Sequence, residues 1–233
     1  MSPLRYDVIY ELACERKGGP AAVDGLLPQP LSRSNIAALP SDRFLAEFTR
    51  KVFQSGFVWR VVNQKWDNFE ESFWGFDVQR LLMMPDDMLE RKAKDPGIIR
   101  NLNKVTTVRH NAMMIADAER RENKGFGQFV ADWPTDDIVA LWQYLKKHGS
   151  RLGGNTGPYA LRTLGVDTFL LTQDVEGFLR NRGVIEGGIA SKKSLLAAQH
   201  FFNELQQQSG RSLSALSRIV SFSYGQNYVG IEQ

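Results

Sequence analysis

The chain has 233 residues, 42% of them hydrophobic, enough for one large domain or two small lobes with a true core. No segment is long and apolar enough to span a bilayer, which excludes a membrane-embedded role, and the start MSPLRYDVIYELACERK is not expected to act as a secretory signal. A net charge of +3 and a pI near 9.0 suit a polyanion partner without requiring one; the single cysteine, Cys14, cannot form an internal disulfide and suits a reducing, cytoplasmic setting.

Helical periodicity dominates, and no alternating run is long enough to build a sheet. Ser41 precedes DRFLAEFTRKVFQ, whose Phe44, Leu45, Phe48, Val52 and Phe53 form one apolar stripe. That predicts a helix capped by Ser41 and ended by Gly56. A further helix is expected with Phe57, Val61 and Val62 as its apolar positions. Pro85 and Asp86 open DDMLERKAK, and a long helix is expected from Asn103 to about Asn123. Thr135 or Asp136 starts DDIVALWQYLKKHG, which stops at Gly149. Segments Ser191–Ser209 and Ser212–Phe222 complete the helices, and the tail 225–233 is expected to be irregular.

The stretch LGGNTGPYALRTLG, residues 152–165, reads as a Gly-rich turn entering a helix. Gly154 can take a positive φ, and the N–H groups of Asn155, Thr156 and Gly157 would face outward at a helix start that favours an anion. Helix, Gly-turn and helix over about 136–165 give the layout of a helix-hairpin-helix, which grips a DNA phosphate without reading sequence. Thr156 stands where that motif has its second glycine, and Ala160 supplies a small residue for helix packing. A helix C-cap followed by a plain connector fits the spacing as well.

The blocks Phe53–Trp59 (FQSGFVW) and Pro96–Ala112 (PGIIRNLNKVTTVRHNA) resemble motifs of the DNA-3-methyladenine glycosylase I family, within the helix-hairpin-helix glycosylase superfamily. The similarity runs from about Leu45 to Asp117 and continues more weakly to Asp174. The resemblance implies an all-α, two-lobed helix-hairpin-helix glycosylase fold over residues 1–233, with C-terminal helices over about 172–222. It also implies hydrolysis of the N-glycosidic bond of an alkylated purine such as 3-methyladenine, after the nucleotide is flipped out of double-stranded DNA. Trp59 matches the pocket tryptophan that stacks on the base, with a plain core role as the alternative. Gln54, Gly56 and Phe57 match the loop that fills the gap in the duplex, and Gly153, Gly154, Asn155, Thr156 and Gly157 match the phosphate-gripping hairpin. Tyr10 is placed at a pocket tyrosine. Asp174, 20 residues after Gly154, stands where many superfamily members place a catalytic Asp, although a helix N-cap by Thr172 or Asp174 explains it equally.

One departure is sharp. The family's base-reading glutamate falls at Lys51, eight residues before Trp59. A lysine there is expected to point away or to bind phosphate; Schiff-base chemistry is a remote option. Glu47, one helical turn earlier, could supply the missing carboxylate. Cys14 with His110, His148 and His200 gives no metal-ligand pairing, so no metal and no cofactor are expected, and the histidines read as surface or helix-end residues. The expected protein is a monomeric glycosylase acting on DNA with a damaged base. The alternatives are a non-catalytic damaged-DNA binder on the same fold, or a glycosylase for another lesion.

Overall fold

A computed structural model describes residues 5–225. They form fifteen α-helices and two short 3-10 turns, with no strand among the described residues. The tail expected to be irregular lies, after Gly225, outside the described residues. No described helix is long and apolar enough to cross a membrane.

The chain divides into two compact units. One holds Ser32–Trp133 and Ala140–Val166; the other holds the residues up to Leu31, Pro134–Val139 and the chain from Asp167 onward. In the first unit the helix Ser41–Gln54 packs against the long helix Leu102–Glu122. The expected stripe is the cause: Phe44, Leu45, Phe48, Val52 and Phe53 are all buried. Phe44 and Phe48 meet Phe126 edge-on at 5.2 and 6.1 Å, and Phe53 meets Phe69 at 4.7 Å.

Boundaries follow local chemistry. The long helix is capped by Asn101, which accepts from the Lys104 N–H, and it ends at Asn123 in a left-handed conformation. Ser41 does not cap its helix. Pro40 occupies the cap position in an extended conformation, and Ser41 turns its hydroxyl to the Glu119 carboxylate. Glu119 also accepts from the Phe126 N–H, so it ties three segments together. The helix expected to use Phe57 begins only at Trp59 and runs to Gln64. Gly56, with φ +75°, turns the chain outward, so residues 55–61 are exposed and Val62 alone of the expected apolar positions is buried.

In the second unit the helix Leu213–Phe222 is wrapped by Tyr6–Lys17, Gln173–Asn181 and Lys192–Ser209. It buries Leu213, Leu216, Ile219, Val220 and Phe222. Ser212 caps it, and the Asp167 carboxylate accepts from the N–H groups of Leu213 and Ser214 at 3.2 and 2.8 Å, where a helix start favours negative charge. Ser191 caps Lys192–Ser209 in the same way.

Candidate functional site

The C-terminal half of the helix Ser41–Gln54 carries a compact polar group. Glu47 and Lys51, four residues apart, share a helix face and pair across 3.2 Å. Both side chains are about nine-tenths buried. The contact is bent away from hydrogen-bond geometry, which leaves Glu47 Oε1 a buried acceptor with no aligned donor. Arg50 approaches the other carboxylate oxygen at 3.5 Å and lies over the Trp66 ring at 4.2 Å. Lys51 donates to Gln54 Oε1 at 3.1 Å, and its ammonium lies 5.1 Å from the Trp59 ring centroid. Lys51 therefore points at Trp59, not away from it, because Glu47 and the indole face both attract its charge.

Trp59 is 50% exposed, which removes the core-residue alternative. Its ring meets Tyr159 at 6.1 Å with the planes nearly perpendicular. Phe57 and Val58 beside it are also exposed, so the loop presents an apolar surface. Gln54 departs from the expectation of a DNA-facing residue. It is 4% exposed, and its amide is spent on Lys51 and on Asn63 at 3.0 Å.

Two buried polar residues of the segment 96–112 hold this region in place. Lys104 donates to the carbonyls of Phe53 and Ser55 at 3.1 and 2.6 Å, and its ammonium lies 4.9 Å from the Phe57 ring. Burial, reinforced by the charge of Arg151, pushes the Lys104 pKa down. Asn111 is fully buried and exchanges two hydrogen bonds with the backbone of Ser150, at 2.7 and 3.2 Å. Seven residues separate Lys104 from Asn111, so they share one face of the long helix. Sequence reasoning singled out neither. The signal was present as polar residues on the buried face of that helix.

The Gly-rich turn links helices Ile138–His148 and Thr156–Thr163. Gly154 has φ +61°, and Arg151 takes a left-handed conformation at +59°. Thr156 and Gly157 do not present their N–H groups outward as expected; they donate back to Gly153 O and Leu152 O at 3.3 and 3.2 Å, closing the turn. The outer surface falls to Gly153, Gly154 and Asn155, with Lys146, Lys147 and Arg151 exposed nearby. Gly157 is needed for close approach: a Cβ there would lie 2.7 Å from Leu152 O. Ala160 is fully buried as expected. The helix Thr156–Thr163 packs on Ser41–Gln54, so the turn and Trp59 belong to one framework.

Asp174 and Tyr10 lie in the other unit. Thr172 caps the helix Gln173–Asn181, accepting from Val175 N, so Asp174 is not its cap. Asp174 is half-buried; Ser221 donates to its Oδ2 at 3.3 Å, and Gly225 approaches so closely that a Cβ would lie 2.7 Å from Oδ1. Tyr10 donates its hydroxyl to Asp24 at 3.0 Å and stacks on Tyr6, with Arg211 over its ring. Desolvation and the Asp24 carboxylate push its pKa up to about 12. Its hydroxyl is thus committed within its own unit. His110, His148 and His200 are exposed, and His148 ends its helix.

Residues 41–151 match the methyladenine glycosylase family. That span holds Glu47, Lys51, Trp59, Lys104 and Asn111, and it leaves out Tyr10 and Asp174. No curated protein matches the chain by sequence. A solved 3-methyladenine DNA glycosylase I is similar at 25% identity, covering 61% of this chain and 84% of that one, with a TM-score of 0.48. The 8-oxoguanine glycosylase/lyase of Methanocaldococcus jannaschii, solved with DNA containing 8-oxoguanine, is similar at 14% identity over 92% and 96%, with a TM-score of 0.51. A second structure of that organism's 8-oxoguanine DNA glycosylase gives 15% identity over 92% of each chain and a TM-score of 0.50. The last two likenesses show the fold to be that of the helical DNA glycosylases, and the family match covers a little under half of the chain, residues 41–151.

Proposed function

We propose that this DNA glycosylase removes an alkylated purine from double-stranded DNA by flipping the nucleotide and hydrolysing its N-glycosidic bond. The observation that carries the reading is the half-exposed Trp59 flanked by the buried Glu47–Lys51 pair and held in one framework with the Gly-rich turn. Trp59 stacks on the extruded base. Phe57 enters the space the nucleotide leaves, an apolar side chain replacing lost stacking. The turn acts as a helix-hairpin-helix: Gly153, Gly154 and Asn155 approach a phosphate, with Lys146, Lys147 and Arg151 supplying positive charge.

Asp174 is proposed as the catalytic carboxylate. It takes a proton from the attacking water and stabilises the cation-like sugar. The water oxygen bonds to C1′, the C1′–N bond breaks, and its electron pair leaves with the base. Glu47 becomes the countercharge that positions Lys51, because its carboxylate is shared between two cations. Gln54 positions Lys51 as well. Tyr10 serves its own unit through Asp24 rather than a base. A monomer in a reducing cytoplasm is the proposed setting, in keeping with one free cysteine, Cys14.

The test is base release from methylated duplex DNA by the full chain, followed by chromatography of the freed bases. Free alkylated purine is the expected result. Tight binding of damaged duplex with no freed base would instead favour a non-catalytic damage-binding protein.

A further inference from the structure

We infer that Lys51 sets the substrate class of this site: purines that stay uncharged in DNA and present a lone pair to an ammonium, in preference to ring-methylated cationic purines. The inference rests on Trp59 being the stacking ring of the proposed glycosylase site.

Three observations lead to it. The ammonium of Lys51 already lies 5.1 Å from the Trp59 ring, so the attraction that an indole face offers a cation is taken by the protein's own side chain. Second, the carboxylate that could compensate, Glu47, is divided between Lys51 and Arg50, two cations to one anion. A cationic base stacked on Trp59 would meet a like charge in a poorly screened place. Third, Lys51 is held rather than free: its side chain is 10% exposed and anchored to Gln54 at 3.1 Å, which Asn63 fixes in turn. An ammonium carries three N–H groups, and Gln54 takes one.

The chemistry of departure points the same way. A ring-methylated cationic purine becomes neutral as the C1′–N bond breaks and needs no help at the base. An uncharged purine takes the bonding electrons with it, develops negative charge and must gain a proton at a ring nitrogen. The net reaction balances, since water gives hydroxyl to the sugar and hydrogen to the base. An ammonium donor beside the base interacts more strongly with that developing charge than with the ground state, and such an interaction accelerates the bond-breaking step. Lys51 is thus a cost for the cationic class and an aid for the neutral class.

The experiment compares single-turnover release from two kinds of duplex by the full chain. One is DNA methylated with dimethyl sulfate, which supplies cationic 3-methyladenine and 7-methylguanine. The other carries a single uncharged lesion: O6-methylguanine, 1,N6-ethenoadenine or hypoxanthine. At least one uncharged lesion is expected to be released faster than both cationic bases, by about tenfold to a hundredfold, the scale of a like-charge penalty. Lys51→Gln, which keeps a polar group without the charge, should reduce that ratio by at least about tenfold, and Lys51→Met should do the same if the glutamine fails to fold. Faster release of the cationic bases by the unaltered protein overturns this inference and leaves the glycosylase reading intact. An unchanged ratio in both variants also overturns it. No release from any duplex removes the glycosylase reading and this inference together.

Discussion

Glu47 and Asp174 are two acidic residues of the same chain with opposite surroundings. Glu47 is buried at the middle of the amphipathic helix Ser41–Gln54, with Lys51 and Arg50 on its two oxygens. Asp174 sits in the first turn of the helix Gln173–Asn181, half-buried, with the Ser221 hydroxyl at 3.3 Å. A carboxylate fixed between cations serves as a countercharge and is poorly placed to move a proton. A carboxylate facing a hydroxyl at a helix start keeps its charge available for a reacting group. The family match alone does not separate these proposed roles: the matched span contains Glu47 and stops short of Asp174.

The comparison can be broken most sharply at Asp174. Asp174→Asn should slow base release by about a hundredfold or more in single-turnover assays, the lower range of an acid–base contribution, while DNA binding persists. Undiminished release would return the catalytic role to another group. Next in size is Glu47→Ala, which strands buried positive charge. It should cost about 3–5 kcal/mol in denaturant unfolding, the range for breaking a buried pair. A stable Glu47→Ala protein lacking activity would exchange the two assignments. Trp59→Ala should weaken binding of lesion DNA by about 1–3 kcal/mol, the usual worth of one base–aromatic stack, with unfolding stability little changed because the ring is half-exposed. Asn111→Ala should lose about 1–3 kcal/mol of stability by leaving buried backbone groups of Ser150 unpaired.

The smallest effect concerns pH. The Tyr10 pKa is raised in the folded protein to about 12, so its contribution is full below its ordinary value of 10.0 and is lost as pH rises through 12. Tyr10→Phe should flatten the alkaline limb of stability between those values, as read by denaturant melts across that range. A limb of unchanged slope would show that the Asp24 contact does not distinguish the folded state.

Much of the fold was legible because helices declare their apolar stripes and ends. Ser191 and Ser212 cap the helices expected to begin there, while the long helix begins at Leu102, one residue before its expected start, under an Asn101 cap. The failures are local contests between partners. Ser41 could cap its helix or reach Glu119, and the sequence does not say that Glu119 is near. Phe57 and Val61 look like core positions until Gly56 turns the chain outward. The Lys51–Glu47 pairing was readable from spacing, but the placement of its ammonium on Trp59 depends on a turn between the two helices. Lys104 and Asn111 were hidden for a different reason: a buried polar side chain has meaning only once its long-range backbone partner is known.

The Lys104 clamp has a consequence for how the protein meets DNA. By fixing two carbonyls at the start of the exposed loop, it sets much of that loop's conformation before any duplex arrives. The entropy of ordering those residues is then already lost in the free protein and does not recur in the encounter. In the proposed glycosylase the loop would therefore act as a rigid probe, testing each step of the duplex for ease of opening instead of moulding itself to the site.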